Sequence, residues 1–138
     1  MLSGETNPVR AAEKVLSMGP KSLVVKHGEY GATAFFCDRS FVGVTDPRPF
    51  RAPALPMAEV VDPTGAGDSF AGGFYGYLAS QSSLTPAVFR RAMFYGGVMG
   101  SFAVERFGTE RLQAVTQEEI NERFNLFREI SHLDDEEI

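Results

Sequence analysis

The segment VVDPTGAGDSFAGG, from Val60 to Gly73, decides how the rest of this chain is organised. Its two valines predict a short strand, and the small and aromatic residues from Ser69 onward predict a helix as far as about residue 80. Between them, small residues leave successive backbone N–H groups exposed at a helix N-terminus, where the helix dipole favours an anion. Glycine at positions 65 and 67 allows the backbone to approach a phosphate without a Cβ in the way. The segment therefore predicts an anion site between a strand and a helix.

Asp68, within this segment, allows two interpretations. A carboxylate beside a bound phosphate is repelled by it, a cost that is tolerated where the carboxylate is the base for a hydroxyl that attacks phosphorus. Alternatively, Asp68 is a capping acid at an ordinary helix start, a role worth about 0.5–2 kcal/mol. Two other phosphate loops are disfavoured, because Phe70 takes the place of the third glycine of a dinucleotide-binding loop and the segment Gly19–Ser22 lacks the Walker A spacing. The spacing alone leaves both roles of Asp68 open.

Outside this segment the pattern predicts alternating helices and strands. Asn7-Pro8 and Thr85-Pro86 are helix starts, and Thr116 fits a capping box with Glu119. Glycines inside the predicted third helix cost helix stability and therefore indicate close backbone packing or a ligand; they are Gly96, Gly97 and Gly100. The predicted elements are a helix from residue 7 to about 18, strands at 22–26, 32–37, 41–44 and 60–61, a proline-rich loop with extended pieces at 47–56, a helix at 69–80 that is buried nearly all round, and helices over 85–105 and from 116. This order indicates a layered α/β fold.

Composition excludes several classes of function. The 138 residues fit one domain, and 43% hydrophobic with 22% charged residues is ordinary globular usage. Lys and Arg number 13 against 18 Asp and Glu, and the net charge of -5 argues against nucleic-acid binding. The uncharged stretch from Ser69 to Phe89 is interrupted by polar residues, so no membrane span is expected. A single cysteine, Cys37, and a start without a secretory pattern indicate a cytoplasmic protein.

Three motifs, in order along the chain, resemble those of the ribokinase-like (PfkB-type) carbohydrate kinases. The run DPTGAGDSFAGG, from Asp62 to Gly73, resembles the family's C-terminal signature. KHGEYGA, from Lys26 to Ala32, resembles its nucleotide-binding strand and turn. VERFGT, from Val104 to Thr109, resembles its loop over adenine and a monovalent cation. The resemblance implies the C-terminal portion of a ribokinase-like three-layer α/β/α sandwich, with residues 1–138 forming a single nucleotide-binding portion.

The resemblance also implies roles for individual residues. Asp68 would be the catalytic base for the substrate hydroxyl. The implied anion hole for the γ-phosphoryl group consists of Gly65, Ala66 and Gly67. The implied nucleotide contacts are Lys26, Gly28, Gly31, Gly67 and Gly97. The implied ligands of a monovalent cation such as K⁺ are Asp62 and the carbonyl groups of Thr64, Ala103, Arg106 and Gly108. On the residues alone, simpler roles stay open: a hairpin for Gly28 and Gly31, helix packing for Gly97, and a solvated strand end for Lys26.

The implied activity is phosphoryl transfer from ATP, with Mg²⁺, to a hydroxyl of a sugar or nucleoside. In the family, the sugar-binding half and an Asn-x-x-Glu motif precede the region that this chain resembles. We therefore expect a C-terminal portion without the substrate pocket, inactive by itself and self-associating through an open sheet edge. The alternative is a nucleotide-binding or interaction module without catalysis.

Overall fold

A small antiparallel sheet lies between two layers of helices. The computed structural model describes residues 2–36 and 49–132. The elements in chain order are α1 (Pro8–Leu16), β1 (Ser22–Lys26), a 3₁₀ turn (Gly28–Tyr30), β2 (Ala32–Phe36), β3 (Phe50–Ala52), α2 (Ala66–Ala79), α3 (Pro86–Ala103), α4 (Glu110–Ala114) and α5 (Gln117–Ser131). In the described residues β2 is the central strand and pairs antiparallel with β1 and β3, so that Val24 lies opposite Ala34 and Ala34 opposite Phe50.

The two faces of the sheet carry separate hydrophobic clusters. Successive side chains of a strand point to opposite faces, so β1 and β2 divide their apolar residues between two layers. Leu23 and Phe35 pack with α1, whereas Val24 and Ala34 belong to the cluster formed with α2 and α3. Helices therefore cover both faces of one sheet, and the predicted α/β class is confirmed.

Glycine allows α2 and α3 to pack against each other at short distance. A Cβ atom at Gly73 would lie 2.5 Å from the Tyr95 carbonyl oxygen, and one at Gly96 would lie 2.9 Å from the Phe70 carbonyl oxygen. Backbone atoms cannot move aside as a flexible side-chain end can. The close packing predicted from the α3 glycines is therefore confirmed.

The local helix signals also hold. The Asn7 side chain accepts hydrogen bonds from the amides of Val9 and Arg10 at 3.0 and 3.1 Å, and Pro8 opens α1. At α5, Thr116 Oγ1 accepts from the Glu119 amide at 3.2 Å while Glu119 accepts from the Thr116 amide at 2.8 Å. Both predicted helix starts are confirmed because each depends on contacts within a few residues.

Three predicted features are wrong in detail. Residues 60–61 do not form a strand; instead the Val61 amide donates to the Val104 carbonyl oxygen at the end of α3, at 2.8 Å. The second helix begins at Ala66, before the predicted Ser69, and it is not buried nearly all round. Phe74 is buried, but Tyr75 is 67% exposed, because the described layers cover only the face of α2 that meets α3 and the sheet.

The remaining differences are additions to the predicted elements. The proline-rich loop contains a strand, β3, where an extended piece was expected, and α4 was not predicted. The predicted strand at 41–44 and Cys37 lie outside the described residues. Among the helices that the structure describes, none has both the length and the apolar character needed to cross a bilayer.

Candidate functional site

A cavity of about 940 Å³ opens between the end of β1, the loop after β3, and the facing surfaces of α2 and α3. All five of the nucleotide-contact residues implied by the resemblance line it: Lys26, Gly28, Gly31, Gly67 and Gly97. The loop after β3 supplies apolar side chains such as Leu55 and Met57. Cavities of roughly 300–1,000 Å³ with apolar walls and a few polar groups hold small organic ligands. The fold therefore gathers residues from four distant segments into a site large enough for a nucleotide.

Lys26 joins β1 to the start of α2. Its Nζ atom donates to the Gly67 carbonyl oxygen at 3.0 Å. A Cβ atom at Gly67 would lie only 2.8 Å from that Nζ, so the absence of a side chain at position 67 makes room for the ammonium group. Lys26 is thus tethered at the cavity and is not a freely solvated strand end. Its charge adds to the positive potential at the helix N-terminus.

The start of α2 presents unused amide groups. Gly65 is the N-cap residue in a left-handed conformation, with φ of 81°. The Ala66 amide donates to the Pro63 carbonyl oxygen at 3.2 Å, so Ala66 of the implied anion hole does not have a free amide group. Within the described ranges, the amides of Gly65, Gly67 and Asp68 have no acceptor in the protein. These three N–H groups can donate to an anion, and the Asp68 amide is a donor that the residue pattern did not single out.

Asp68 lies in the first turn of α2 with an exposed side chain. Its carboxylate makes no capping hydrogen bond, because Gly65 occupies the N-cap position and the helix has no side-chain cap. One of the two sequence-based interpretations made Asp68 a capping acid. The capping hydrogen bond is absent, although a favourable interaction of the carboxylate with the helix dipole remains. The carboxylate is an available proton acceptor next to three open amides.

Gly28 and Gly31 shape the turn between β1 and β2. Both have positive φ, 59° and 94°, which side chains rarely adopt. A Cβ atom at Gly31 would overlap the Ala52 carbonyl oxygen and would lie 2.8 Å from the Ala54 amide nitrogen. The His27 amide donates to the Gly31 carbonyl oxygen at 2.7 Å and closes the turn. The two glycines serve the hairpin and line the cavity at once, so these two interpretations do not exclude each other.

Gly97 and Gly100 form the α3 side of the cavity. A Cβ atom at Gly97 would lie 3.0 Å from Cε1 of Phe127 on α5, which packs behind Gly97. At Gly100, a Cβ atom would lie 3.3 Å from the Ala66 carbonyl oxygen at the start of α2. Gly97 is therefore both a packing glycine and a cavity residue, and the α3 wall is held between α2 and α5.

The two segments implied as a cation site lie side by side. The amides of Val61 and Asp62 both donate to the Val104 carbonyl oxygen, at 2.8 and 3.3 Å. Asp62 Oδ1 accepts from the Thr64 amide at 3.0 Å, and this hydrogen bond lowers the pKa of Asp62 below its usual value. A carboxylate and nearby carbonyl oxygens suit a hard cation. The structure thus brings the turn at 62–64 next to the end of α3.

The other implied cation ligands belong to the loop that follows. Ala103 is the last residue of α3 and is buried, whereas Arg106 and Gly108 are exposed beyond it. Gly108 has φ of 63°, a left-handed conformation that reverses the chain before α4. In the parts of the chain that the structure describes, no group of three or more His, Cys, Asp or Glu side chains is arranged to hold a metal ion.

A half-buried charge cluster that includes Glu105 of this loop was missed by sequence reasoning. Glu105 pairs with Arg111 on α4 and with Arg123 on α5, both at 2.6 Å. Both guanidinium groups lie over the Phe102 ring, at 4.7 and 3.7 Å from its centroid. Burial acts to raise the pKa of Glu105, but the hydrogen bonds from the two arginines outweigh it and the pKa is lowered. No local spacing connects these three charges, because they come from three different elements.

Solved structures of sugar and nucleoside kinases are similar to this fold. The structure of aminoimidazole riboside kinase from Salmonella enterica, complexed with aminoimidazole riboside and an ATP analogue, superposes with a TM-score of 0.72 at 27% identity over 89% of this chain. A double mutant of fructokinase from Vibrio cholerae O395, with fructose, ADP and a potassium ion bound, gives a TM-score of 0.74 at 19% identity over 89% of this chain. The fold is therefore that of the ribokinase-type kinases.

The chain belongs to the pfkB family of carbohydrate kinases, whose model matches residues 2–115. It is also 42% identical, over 76 residues, to the cytidine kinase of Thermococcus kodakarensis, a match that covers 54% of this chain and 24% of that protein. Its matches to the two solved kinases cover 38% and 36% of their chains. The chain thus spans well under half the length of these relatives.

Proposed function

We propose that this chain provides the nucleotide site and the catalytic base of a kinase that transfers a phosphoryl group from ATP to a hydroxyl of a sugar or nucleoside. The observation that carries the proposal is the convergence of Lys26, Gly28, Gly31, Gly67 and Gly97 on one cavity, next to the open amides of α2. A packed hairpin and a packed helix pair would each explain some of these residues. Neither explains why all five line one cavity.

The cavity fits a nucleotide because its polar and apolar parts are separate. Lys26 and Gly67 lie at its α2 end, where open amides and an ammonium group favour phosphates. Its remaining wall includes Leu55 and Met57 and the bare backbone of Gly97, a surface suited to a flat purine ring. We therefore place the phosphates at the start of α2 and the base against α3.

Asp68 takes the proton in the proposed reaction. The substrate oxygen forms a bond to the γ-phosphorus while the bond from that phosphorus to the β–γ bridging oxygen breaks and ADP leaves. The hydroxyl proton passes to the Asp68 carboxylate. The amides of Gly65, Gly67 and Asp68 donate to the oxygens of the transferring group, because preorganised N–H donors stabilise charge without reorganisation.

A monovalent cation has a suitable set of oxygen atoms beside this site. We propose the Asp62 carboxylate as one ligand of this cation. The other proposed ligands are backbone carbonyl groups of the turn at 62–64 and the loop at 103–108, namely those of Thr64, Ala103, Arg106 and Gly108. Asp62 has a lowered pKa and so remains a charged ligand. Mg²⁺ accompanies ATP in phosphoryl transfer and neutralises phosphate charge. The bound ADP and potassium ion of the Vibrio cholerae fructokinase are in keeping with this assignment.

The proposed substrate class is inferred from the substrates of the relatives and not from the residues that line the cavity. The named relatives act on cytidine, aminoimidazole riboside and fructose, which all carry sugar hydroxyl groups. We propose a sugar or nucleoside substrate, bound by a part of the kinase fold that precedes the region described here. As an isolated chain, residues 1–138 are then expected to self-associate through the edge of β1, which ends the sheet in the described residues, and to lack turnover.

The second candidate is a nucleotide-binding module without catalysis. It is favoured by one observation: the residues that line the cavity all lie between Lys26 and Val104, so the nucleotide site needs no residue from outside this chain. Such a module would use the same cavity and would leave Asp68 without a substrate hydroxyl.

One pair of measurements separates the two candidates. Binding of ATP is measured by calorimetry, and transfer of labelled phosphate is measured on a panel of sugars and nucleosides, each for wild type and Asp68→Asn. Binding together with transfer that Asp68→Asn abolishes supports the kinase. Binding without any transfer, in every form of the protein that includes the preceding part of the fold, supports the module. Absence of ATP binding would contradict both.

A further inference from the structure

Helix α5 contacts the cavity wall although it lies outside the stretch 2–115 that matches the family. Phe127 on α5 is fully buried and lies directly behind Gly97. Arg123, one helical turn earlier, donates from Nη1 to Ser101 Oγ at 3.3 Å. Gly97 and Ser101 both line the cavity. The helix therefore reaches the wall at two points.

The Ser101 hydroxyl group makes two hydrogen bonds. Its hydroxyl group donates to the Val98 carbonyl oxygen at 2.7 Å and accepts from Arg123. Arg123 is itself fixed, because it pairs with Glu105 at 2.6 Å and lies 3.7 Å from the centre of the Phe102 ring. With 18% of its side chain exposed, Arg123 has little freedom to move.

We propose that α5 positions the nucleotide cavity, with Arg123 and Phe127 as positioning residues that do not touch the nucleotide. The inference rests on the proposed function. Gly97 has no side chain, so the position of the wall at that point is set by what lies behind it, and Phe127 lies there. A preformed cavity binds more tightly than one that must be ordered on binding. Nucleotide affinity should therefore depend on a helix that carries none of the family's motifs.

The test compares two arginines of the same helix. Arg123→Met keeps the apolar stem but loses the bonds to Ser101 and Glu105. The matched control is Arg128→Met, since Arg128 is exposed and bonds to Asn125 within α5 at 3.5 Å. Affinity for ATP in the presence of Mg²⁺ is measured by calorimetry on the folded chain, and thermal melting is recorded for each variant. We expect Arg123→Met to weaken ATP binding by about tenfold and Arg128→Met by less than about twofold.

Two milder variants separate positioning from stability. Ser101→Ala removes the hydroxyl group that connects Arg123 to the cavity, so its effect and that of Arg123→Met should not add when combined. Arg123→Lys retains the charge and should recover part of the affinity. If Arg123→Met does not fold, Ser101→Ala and Arg123→Lys decide the question by the same affinity readout.

The contradicting outcomes are distinct. Folded Arg123→Met with a lowered melting temperature and unchanged ATP affinity would overturn the positioning role and leave the proposed function intact. Should Arg123→Met fail to fold, wild-type affinity in both milder variants would overturn the positioning role in the same way. Wild-type protein that is folded but does not bind ATP would overturn the proposed function and this inference with it.

Discussion

The cavity wall and its rim are held by different forces. The wall, formed by Gly31, Gly97 and Gly100, is fixed by close approach, since a Cβ atom at any of them would lie within 3.3 Å of neighbouring atoms. The rim consists of the turn at 62–68 and the loop at 103–108. There a Cβ atom at Gly65 or Gly108 would meet nothing within 4 Å, and only the positive φ of these two residues favours glycine. Tertiary packing therefore determines the position of the wall, and local turn conformations determine the position of the rim.

This difference shows where changes in sequence should act. At the wall, a larger side chain must displace backbone or a buried ring, so stability and cavity shape change together. At the rim, side chains such as Asp68 are exposed and make few contacts in the protein. Substitutions there should alter ligand chemistry while leaving the fold almost unchanged.

The largest effect is expected from Asp68→Asn at the rim. In the proposed kinase, loss of Asp68 as the proposed base should lower kcat by about 10²–10⁴-fold. Affinity for ATP should be kept or slightly raised, because a charge that repels phosphate is removed. Steady-state kinetics and calorimetry measure the two quantities.

The control for Asp68→Asn is Glu110→Gln, another exposed acid in the first turn of a helix. It should leave kcat and stability close to those of wild type. Turnover of Asp68→Asn within a factor of about three of wild type would remove the base role.

The next largest effect is expected at the wall, from Gly31→Ala. Gly28→Ala is its matched control, because both positions have positive φ but only Gly31 would place a Cβ atom against the Ala52 carbonyl oxygen. We expect the control to lower the free energy of unfolding by about 1–3 kcal/mol, the usual cost of a strained backbone conformation. Gly31→Ala should cost more and also weaken ATP binding. If chemical denaturation shows that both variants lose the same free energy of unfolding, the contact of Gly31 with Ala52 does not contribute to stability beyond the positive φ.

Lys26→Met tests the contact between wall and rim. The lysine ammonium group next to Gly67 should strengthen phosphate binding, and its loss should cost about 1.5–3 kcal/mol of ATP binding free energy, as for a hydrogen bond to a charged group. The loss should shrink at high salt, because ions screen the interaction. Calorimetry at two salt concentrations measures it, with Lys14→Met, an exposed residue in the last turn of α1, as the control. Unchanged affinity in Lys26→Met would contradict the phosphate contact.

A smaller effect is expected from the choice of monovalent cation. Because a loose set of carboxylate and carbonyl oxygens suits a larger ion, K⁺ should activate the kinase more than Na⁺ does. The Asp62→Ala variant should lose the preference while remaining folded. Equal activity of the wild type in K⁺, Na⁺ and a bulky organic cation would contradict a cation site at the rim.

The smallest effect concerns pH and the charge cluster behind the rim. Glu119 pairs with Arg111 of this cluster at 2.7 Å, and hydrogen bonds from Arg111 and from the Thr116 amide lower the pKa of Glu119 from 4.5 to about 2. Because the pKa is lower in the folded state, Glu119 stabilises the fold above pH 4.5, and this contribution disappears as the pH falls toward 2. The difference in melting temperature between wild type and Glu119→Gln should therefore shrink over that range. A difference that stays constant from pH 7 to the acid limit would show that the contacts of the ionised Glu119 with Arg111 and Thr116 do not contribute to stability.

Local sequence signals determined the starts of α1 and α5. The caps at Asn7 and Thr116 act through neighbours a few residues away, so the residues alone are sufficient to predict them. The start of α2 was misplaced because the left-handed conformation of Gly65 allows the helix to begin directly after it. The resemblance supplied the other cavity residues, and their convergence follows from the fold.

Only the tertiary structure decided which distant residues meet. The contact of Lys26 with Gly67, the packing of Phe127 behind Gly97 and the pairing of Glu105 with Arg123 join residues far apart in the chain. No periodicity encodes such contacts, because they depend on how helices cross and how closely glycine allows them to approach. The sequence alone therefore determined the capped starts of α1 and α5, whereas packing decided the shape of the cavity and the helix behind it.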